Sequence, residues 1–101
     1  MLLFSPTTAA EPLINERHVL DERAFVEIVI WRVPAPMPGS THEFKYRLAF
    51  VVDEVCVLRC DNEAGKGDHR HVDDKEEAYA FTTYDALLAD FWEDVQAWRS
   101  R

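Results

Sequence analysis

The sequence predicts an α+β fold, an antiparallel sheet of three to five strands packed by a C-terminal amphipathic helix. Three observations carry this. Arg23–Val33 and His42–Val52 are rich in Val, Ile, Phe, Tyr and Trp, the residues that fit a pleated, half-buried surface. Only Asp53 and Glu54 separate the second run from Val55–Cys60, which is the spacing of a tight hairpin. Tyr84, Leu87, Leu88, Phe91, Trp92, Val95 and Trp98 recur at helical spacing. With 101 residues, 48% of them hydrophobic, the chain reads as one domain over 1–101 with a packed core.

The elements follow in order. A short helix is allowed near Glu11–Arg17, and His18–Asp21 either begins a longer strand or pairs ahead of it. In Arg23–Val33, Val26, Ile28 and Ile30 face one way and Phe25, Val29, Trp31 and Val33 the other, so this is an interior strand. Pro34–Thr41 holds three prolines and a glycine; it is too short to divide domains and is expected to be an ordered loop between strands. Phe44, Tyr46, Leu48, Phe50 and Val52 form an apolar strand face. A two-residue turn sets Val52 against Val55, and hence Arg59 against Leu48, Cys60 against Arg47 and Asp61 against Tyr46. Glu54 suits that turn poorly, because its second position wants a positive φ. Asp61–Lys75 reads as a long polar loop and Ala78–Thr82 as a short strand. Thr83 is a good N-cap for the helix, with Asp85 in its first turn.

Composition excludes several classes. Nineteen acids against eleven bases give a net charge of −8, unlike a polybasic nucleic-acid binder or a protein drawn to anionic lipid. No apolar run approaches the ~18 residues needed to cross a bilayer. Met1–Phe4 has no basic leader region, and the expected compartment is the cytoplasm. Cys56 and Cys60, four apart in a strand, would lie ~13 Å apart, too far for a disulfide. They read as small core residues. No pattern calls for a cofactor.

The charge is unevenly spread. Residues 72–101 carry eight acids and three bases, whereas residues 41–71 carry six and five and hold His42, His69 and His71. His69-Arg70-His71 is the densest constellation. In an extended segment both imidazoles project to one side, and imidazole can give or take a proton near neutral pH. With Lys66, Arg70, Lys45 and Arg47 to hold a phosphate, and Asp61 to orient a histidine, these are the parts of a metal-independent RNA-cleaving site. Two other readings stand beside it. The loop can be a solvated turn, or His-x-His with Asp61, Asp68 or Asp73 can hold a divalent ion. Gly65-Lys66-Gly67 resembles a small anion nest, or simply turns the chain. Asp61-Asn62 can also be no more than an Asx turn.

The run Phe44–Asp53, followed by Val57-Leu-Arg-Cys-Asp-Asn-Glu-Ala-Gly-Lys-Gly-Asp-His-Arg-His71, resembles the TumE family of bacterial toxin–antitoxin proteins. The likeness continues through Tyr79-x-Phe81 and Leu87–Val95. It departs at Glu54, where Gly is usual, and at Cys60, where Tyr is common. The resemblance implies a toxin paired with a helix-turn-helix antitoxin. By position it carries Lys45, Arg47, Asp61, Asn62, Lys66, His69, Arg70 and His71 over as functional residues, with Lys45, Arg47 and Asn62 on the substrate side. A non-enzymatic interaction module is the alternative, its acidic helix (Asp90, Glu93, Asp94) docking a basic partner. Trp31 and Trp98 either serve the core or a homodimer contact.

Overall fold

The computed structural model describes residues 10–63 and 65–101; the Met1–Phe4 segment lies outside them. Among the described residues six strands precede one helix: β1 (Glu11–Asp21), β2 (Ala24–Arg32), β3 (Phe44–Val52), β4 (Val55–Asp61), β5 (His69–Val72), β6 (Lys75–Ala78) and α1 (Tyr84–Arg99). The strands form one sheet in the order β1-β2-β3-β4-β5-β6, and every neighbouring pair is antiparallel. The α+β class is therefore as expected, with one strand more than the upper bound.

Two segments differ from expectation. Glu11–Arg17 is strand, not helix. β2 is interior, so the backbone groups of its outer edge need partners, and β1 supplies them over nearly its whole length. Asp61–Lys75 is not one loop. His69–Val72 and Lys75–Ala78 make a second tight hairpin, closed by Asp73 (φ 55°) and Asp74. Arg70 against Glu77, an opposed pair of unlike charge, favours this pairing, and His71 stands opposite Glu76. The strand expected at Ala78–Thr82 thus lies earlier and ends at Ala78.

The Asp53-Glu54 turn forms with both residues at positive φ, 50° and 66°, as a type I′ turn requires. The Asp53 amide donates to the Arg23 carbonyl at 2.8 Å, and the Arg23 guanidinium pairs with the Asp53 carboxylate, so the β1–β2 and β3–β4 turns are joined. Val52 faces Val55 as expected, but the register then shifts. Val51 opposes Cys56, Phe50 opposes Leu58, and Val57 is the extra residue of a β-bulge. Arg59 therefore opposes Ala49 rather than Leu48, Cys60 opposes Leu48, and Asp61 opposes Arg47 rather than Tyr46. The reason is burial. Without the bulge Arg59 would stand in the core; with it, Leu58 and Cys60 do.

One sheet face is covered by α1. Val26, Ile28 and Ile30 from β2, Tyr46, Leu48 and Phe50 from β3, and Leu58 and Cys60 from β4 meet Leu87, Phe91 and Val95 of the helix in the core. Trp98 joins this cluster, edge-on to Phe50 with centroids 5.5 Å apart. Thr83 caps the helix by accepting the Ala86 amide at 3.1 Å. Cys60 is buried, but Cys56 is exposed and is not a core residue; both thiols are free.

Two loops meet at one end of the sheet. Gly39 and Gly67, both at positive φ, touch so closely that a Cβ on Gly39 would lie 2.4 Å from the Gly67 nitrogen. Around this contact the Asp68 carboxylate accepts from Ser40 Oγ (2.6 Å) and Tyr46 Oη (2.7 Å), and lies 2.7 Å from His42 Nε2. His42 stacks on Phe81 at 3.7 Å. The Pro34–Thr41 stretch is thereby an ordered connection.

Glu54 occupies a left-handed conformation that costs a residue with a Cβ about 1–2 kcal/mol, part of which glycine returns as unfolded-chain entropy. Glu54→Gly is expected to stabilise the protein by roughly 1 kcal/mol, raising Tm by about 4–8 °C. Thermal melting checks this, and an unchanged or lower Tm contradicts the turn assignment.

Candidate functional site

The face of the sheet away from α1 carries the charged constellation. Strand alternation and register build it in rows. Glu76, His71, Arg59, Ala49, Glu27 and Arg17 lie opposite one another across six strands. The next row runs His69, Asp61, Arg47, Val29. Where β3–β6 meet the β4–β5 loop, these rows border a cleft of about 320 Å³ lined by Arg47, Arg59, Asp61, Glu63, Lys66, His69, His71 and Glu76.

Its centre is one carboxylate between two imidazoles. Glu76 Oε1 lies 2.9 Å from Lys66 Nζ and 3.3 Å from His69 Nε2, and Oε2 lies 3.6 Å from His71 Nε2. The Lys66 ammonium, seconded by the two histidines, holds the Glu76 carboxyl below its usual range. His69 Nδ1 is 2.7 Å from the Gly67 carbonyl. A carbonyl only accepts, so Nδ1 carries a hydrogen and Nε2 faces the cleft. His71 Nε2 is 3.1 Å from Arg59 Nη2, which can only donate. Asp61 Oδ2 lies 2.7 Å from Arg59 Nε, but that N–H is not aimed at it and has no directed partner. Asp61 thus holds Arg59 by charge rather than touching a histidine.

The sequence-derived residues divide. His69, His71, Asp61, Lys66 and Arg47 line the cleft together. Lys45 stands on the same face, 4.0 Å from Glu63. Arg70, between the histidines in sequence, points to the opposite face. There it forms a two-pronged pair with Asp94 of α1 (2.7 and 2.8 Å) and bonds Glu77, contacts that raise its pKa. Asn62 is fully buried: its Nδ2 donates to the Phe44 carbonyl at 2.7 Å and its Oδ1 accepts the Tyr46 amide at 3.0 Å. It ties β4 to β3. The metal set allowed by spacing does not assemble, since Asp68 is taken by His42, Ser40 and Tyr46 and Asp73 by Trp98 and Arg101. Among the described residues no three His, Cys, Asp or Glu side chains are placed to hold a metal ion. Gly67 is spent on the contact with Gly39. Burial pushes the Cys60 thiol up to about 12, so it stays protonated and inert.

The cleft also holds Glu76 and Arg59, which the sequence pattern does not mark as site residues. Arg59 needed the bulge. Glu76 was legible in principle, because Asp73-Asp74 is a second two-residue turn that sets Glu76 opposite His71. On α1, Asp94 and Asp90 are bonded to Arg70 and to the Tyr79 hydroxyl, which uses part of the acidic face read as a docking surface.

A family model described as Toxin TumE matches residues 9–99. No curated protein and no solved structure matches the chain. No helix among the described residues is long and apolar enough to cross a membrane.

Arg70 and the histidines should separate by experiment. Arg70→Ala leaves Asp94 unpaired on the helix and is expected to cost about 1.5–3 kcal/mol by urea unfolding, whereas His69→Ala, which loses a neutral bond to the Gly67 carbonyl, should cost only about 0.5–1.5 kcal/mol. Equal losses would contradict the two-faced arrangement. The carboxyls of Asp21 (chiefly by the Arg23 amide), Asp53 (by Arg23), Asp73 (by Arg101) and Glu76 (by Lys66) are all lowered from 3.8 or 4.5. A depressed folded-state pKa stabilises above the unfolded value and is lost as pH falls through the folded one. The urea midpoint should therefore hold from pH 7 to about 5 and fall below that; a midpoint rising on acidification would refute these pairings.

Proposed function

The chain belongs to the TumE toxin family, the toxin half of a toxin–antitoxin pair, and from that premise we propose that it is a metal-independent endoribonuclease. The observation that carries the proposal is the pair of imidazoles set about one carboxylate, with cationic side chains of Arg47, Arg59 and Lys66 on the same cleft. Its antitoxin, in this proposal, is a helix-turn-helix protein, and the cytoplasm is where the pair meets its RNA.

His69 is the general base. Its Nδ1–H is engaged by the Gly67 carbonyl, which leaves Nε2 to take the 2′-OH proton, and Glu76 stabilises the imidazolium that forms. The 2′ oxygen attacks phosphorus and the bond to the 5′ oxygen breaks, leaving a 2′,3′-cyclic phosphate. His71 enters protonated and gives its proton to the departing 5′ oxygen. Protonated, it no longer accepts from Arg59, whose guanidinium turns to the phosphate with Arg47 and Lys66. The Gly67 carbonyl, not Asp61, orients the His69 ring.

Purified protein incubated with RNA in chelator is expected to yield 2′,3′-cyclic phosphate ends. His69→Ala and His71→Ala should each lower cleavage by about 10²–10⁴-fold with the fold intact. RNA left whole with and without divalent ions would sink the proposal. Cleavage only with added metal would replace it by a metal-dependent mechanism.

A further inference from the structure

The uncovered sheet face continues past the cleft, and we infer that it is a binding track for single-stranded RNA in which Trp31 stacks a base and Lys45 and Arg47 hold the backbone. This rests on the endoribonuclease reading and adds how the substrate reaches the histidines. In register, Arg47 opposes Val29 and Lys45 opposes Trp31, so both cations and the indole occupy one face of the adjacent strands β3 and β2. Arg47 is also in the row of His69, with Asp61 between them. The track therefore joins the cleft without a break. From β5 to β2 is three strand spacings, roughly 14 Å, the scale of a short nucleotide segment rather than of a long groove.

Charge and chemistry select the occupant. The protein carries −8 overall; Asp85, Asp90, Glu93 and Asp94 lie on α1, across the sheet, and on the cleft's own face Glu63, Asp61 and Glu76 each lie within 4.0 Å of a cation, Lys45, Arg59 and Lys66. The aromatic-and-cation pairing of Trp31 with Lys45 matches what unpaired bases require, a flat π-surface flanked by phosphate contacts. Trp31 remains only partly buried and lies outside the core cluster, unlike Trp92 and Trp98, which pack against it. A duplex hides its bases from such a surface, so the track favours single strands.

The test uses the full chain with His69→Ala and His71→Ala to stop turnover, and fluorescence anisotropy of a labelled RNA oligonucleotide, single-stranded or annealed to its complement. Single-stranded RNA should bind at least tenfold tighter than the duplex. Trp31→Ala should weaken single-strand binding by about tenfold or more and Trp31→Phe should restore most of it. Arg47→Ala should weaken binding and lower the slope of log affinity against log salt by about one. If Trp31→Ala loses its fold by circular dichroism, Trp31→Gln, which removes the ring but keeps a long side chain, and the Arg47→Ala salt slope decide in its place. Unchanged binding in the Trp31 and Arg47 variants overturns the track. So does an absence of RNA binding combined with loss of antitoxin binding on Trp31→Ala, which would make the face a protein contact. With the histidines intact, RNA bound through Trp31 but never cut refutes the nuclease and leaves the track. RNA cut equally well by Trp31→Ala refutes the track and leaves the nuclease.

Discussion

The β-bulge at Val57 decides which side chains meet the helix and which meet the cleft. Side chains alternate along a strand, so one extra residue flips everything beyond it. β4 without the bulge would turn Arg59 into the core and Leu58 out of it. β5 pairs with β4 residue for residue, Asp61 with His69 and Arg59 with His71, so the faces of His69 and His71 are inherited from the same slip. The core residues Leu58 and Cys60 and the histidine cleft are two consequences of one packing requirement.

A single layer of helix on a six-stranded meander leaves a second face that must be stabilised by other means. Here long charged side chains pair over the surface, Arg17 with Glu27 across strands and Lys66 of the β4–β5 loop with Glu76. Such exposed pairs add little stability each. They do keep ionisable groups close, which a proton-transfer site needs. The strong pair lies on the other side, where Arg70 grips Asp94 and fixes α1 against β5. The chain thus alternates a structural cation between two imidazoles, and the strand sorts them by face.

The loops at the cleft end are fixed by small contacts. Gly39 against Gly67 and the Asp68 carboxylate among Ser40, His42 and Tyr46 bind the proline-rich connection to the segment that leads into β5. Asp68 immediately precedes His69, so the rigidity of this junction sets where the first imidazole starts.

Much of this was legible in the residues themselves. The interior strand at Val26–Ile30, the two-residue turn, the Thr83 cap and the helical stripe of Leu87, Phe91 and Val95 are local patterns, each fixed by periodicity or by a backbone group that a neighbouring residue satisfies. The common side of His69 and His71 also follows from alternation alone. The identity of that side did not. It depended on the bulge at Val57, which no local pattern announces. Arg70 shows the difference most directly: in sequence it sits inside the cluster, and in space it belongs to the helix. Local propensity and period are written along the chain, whereas register and facing are set by which side chains the completed core can accept.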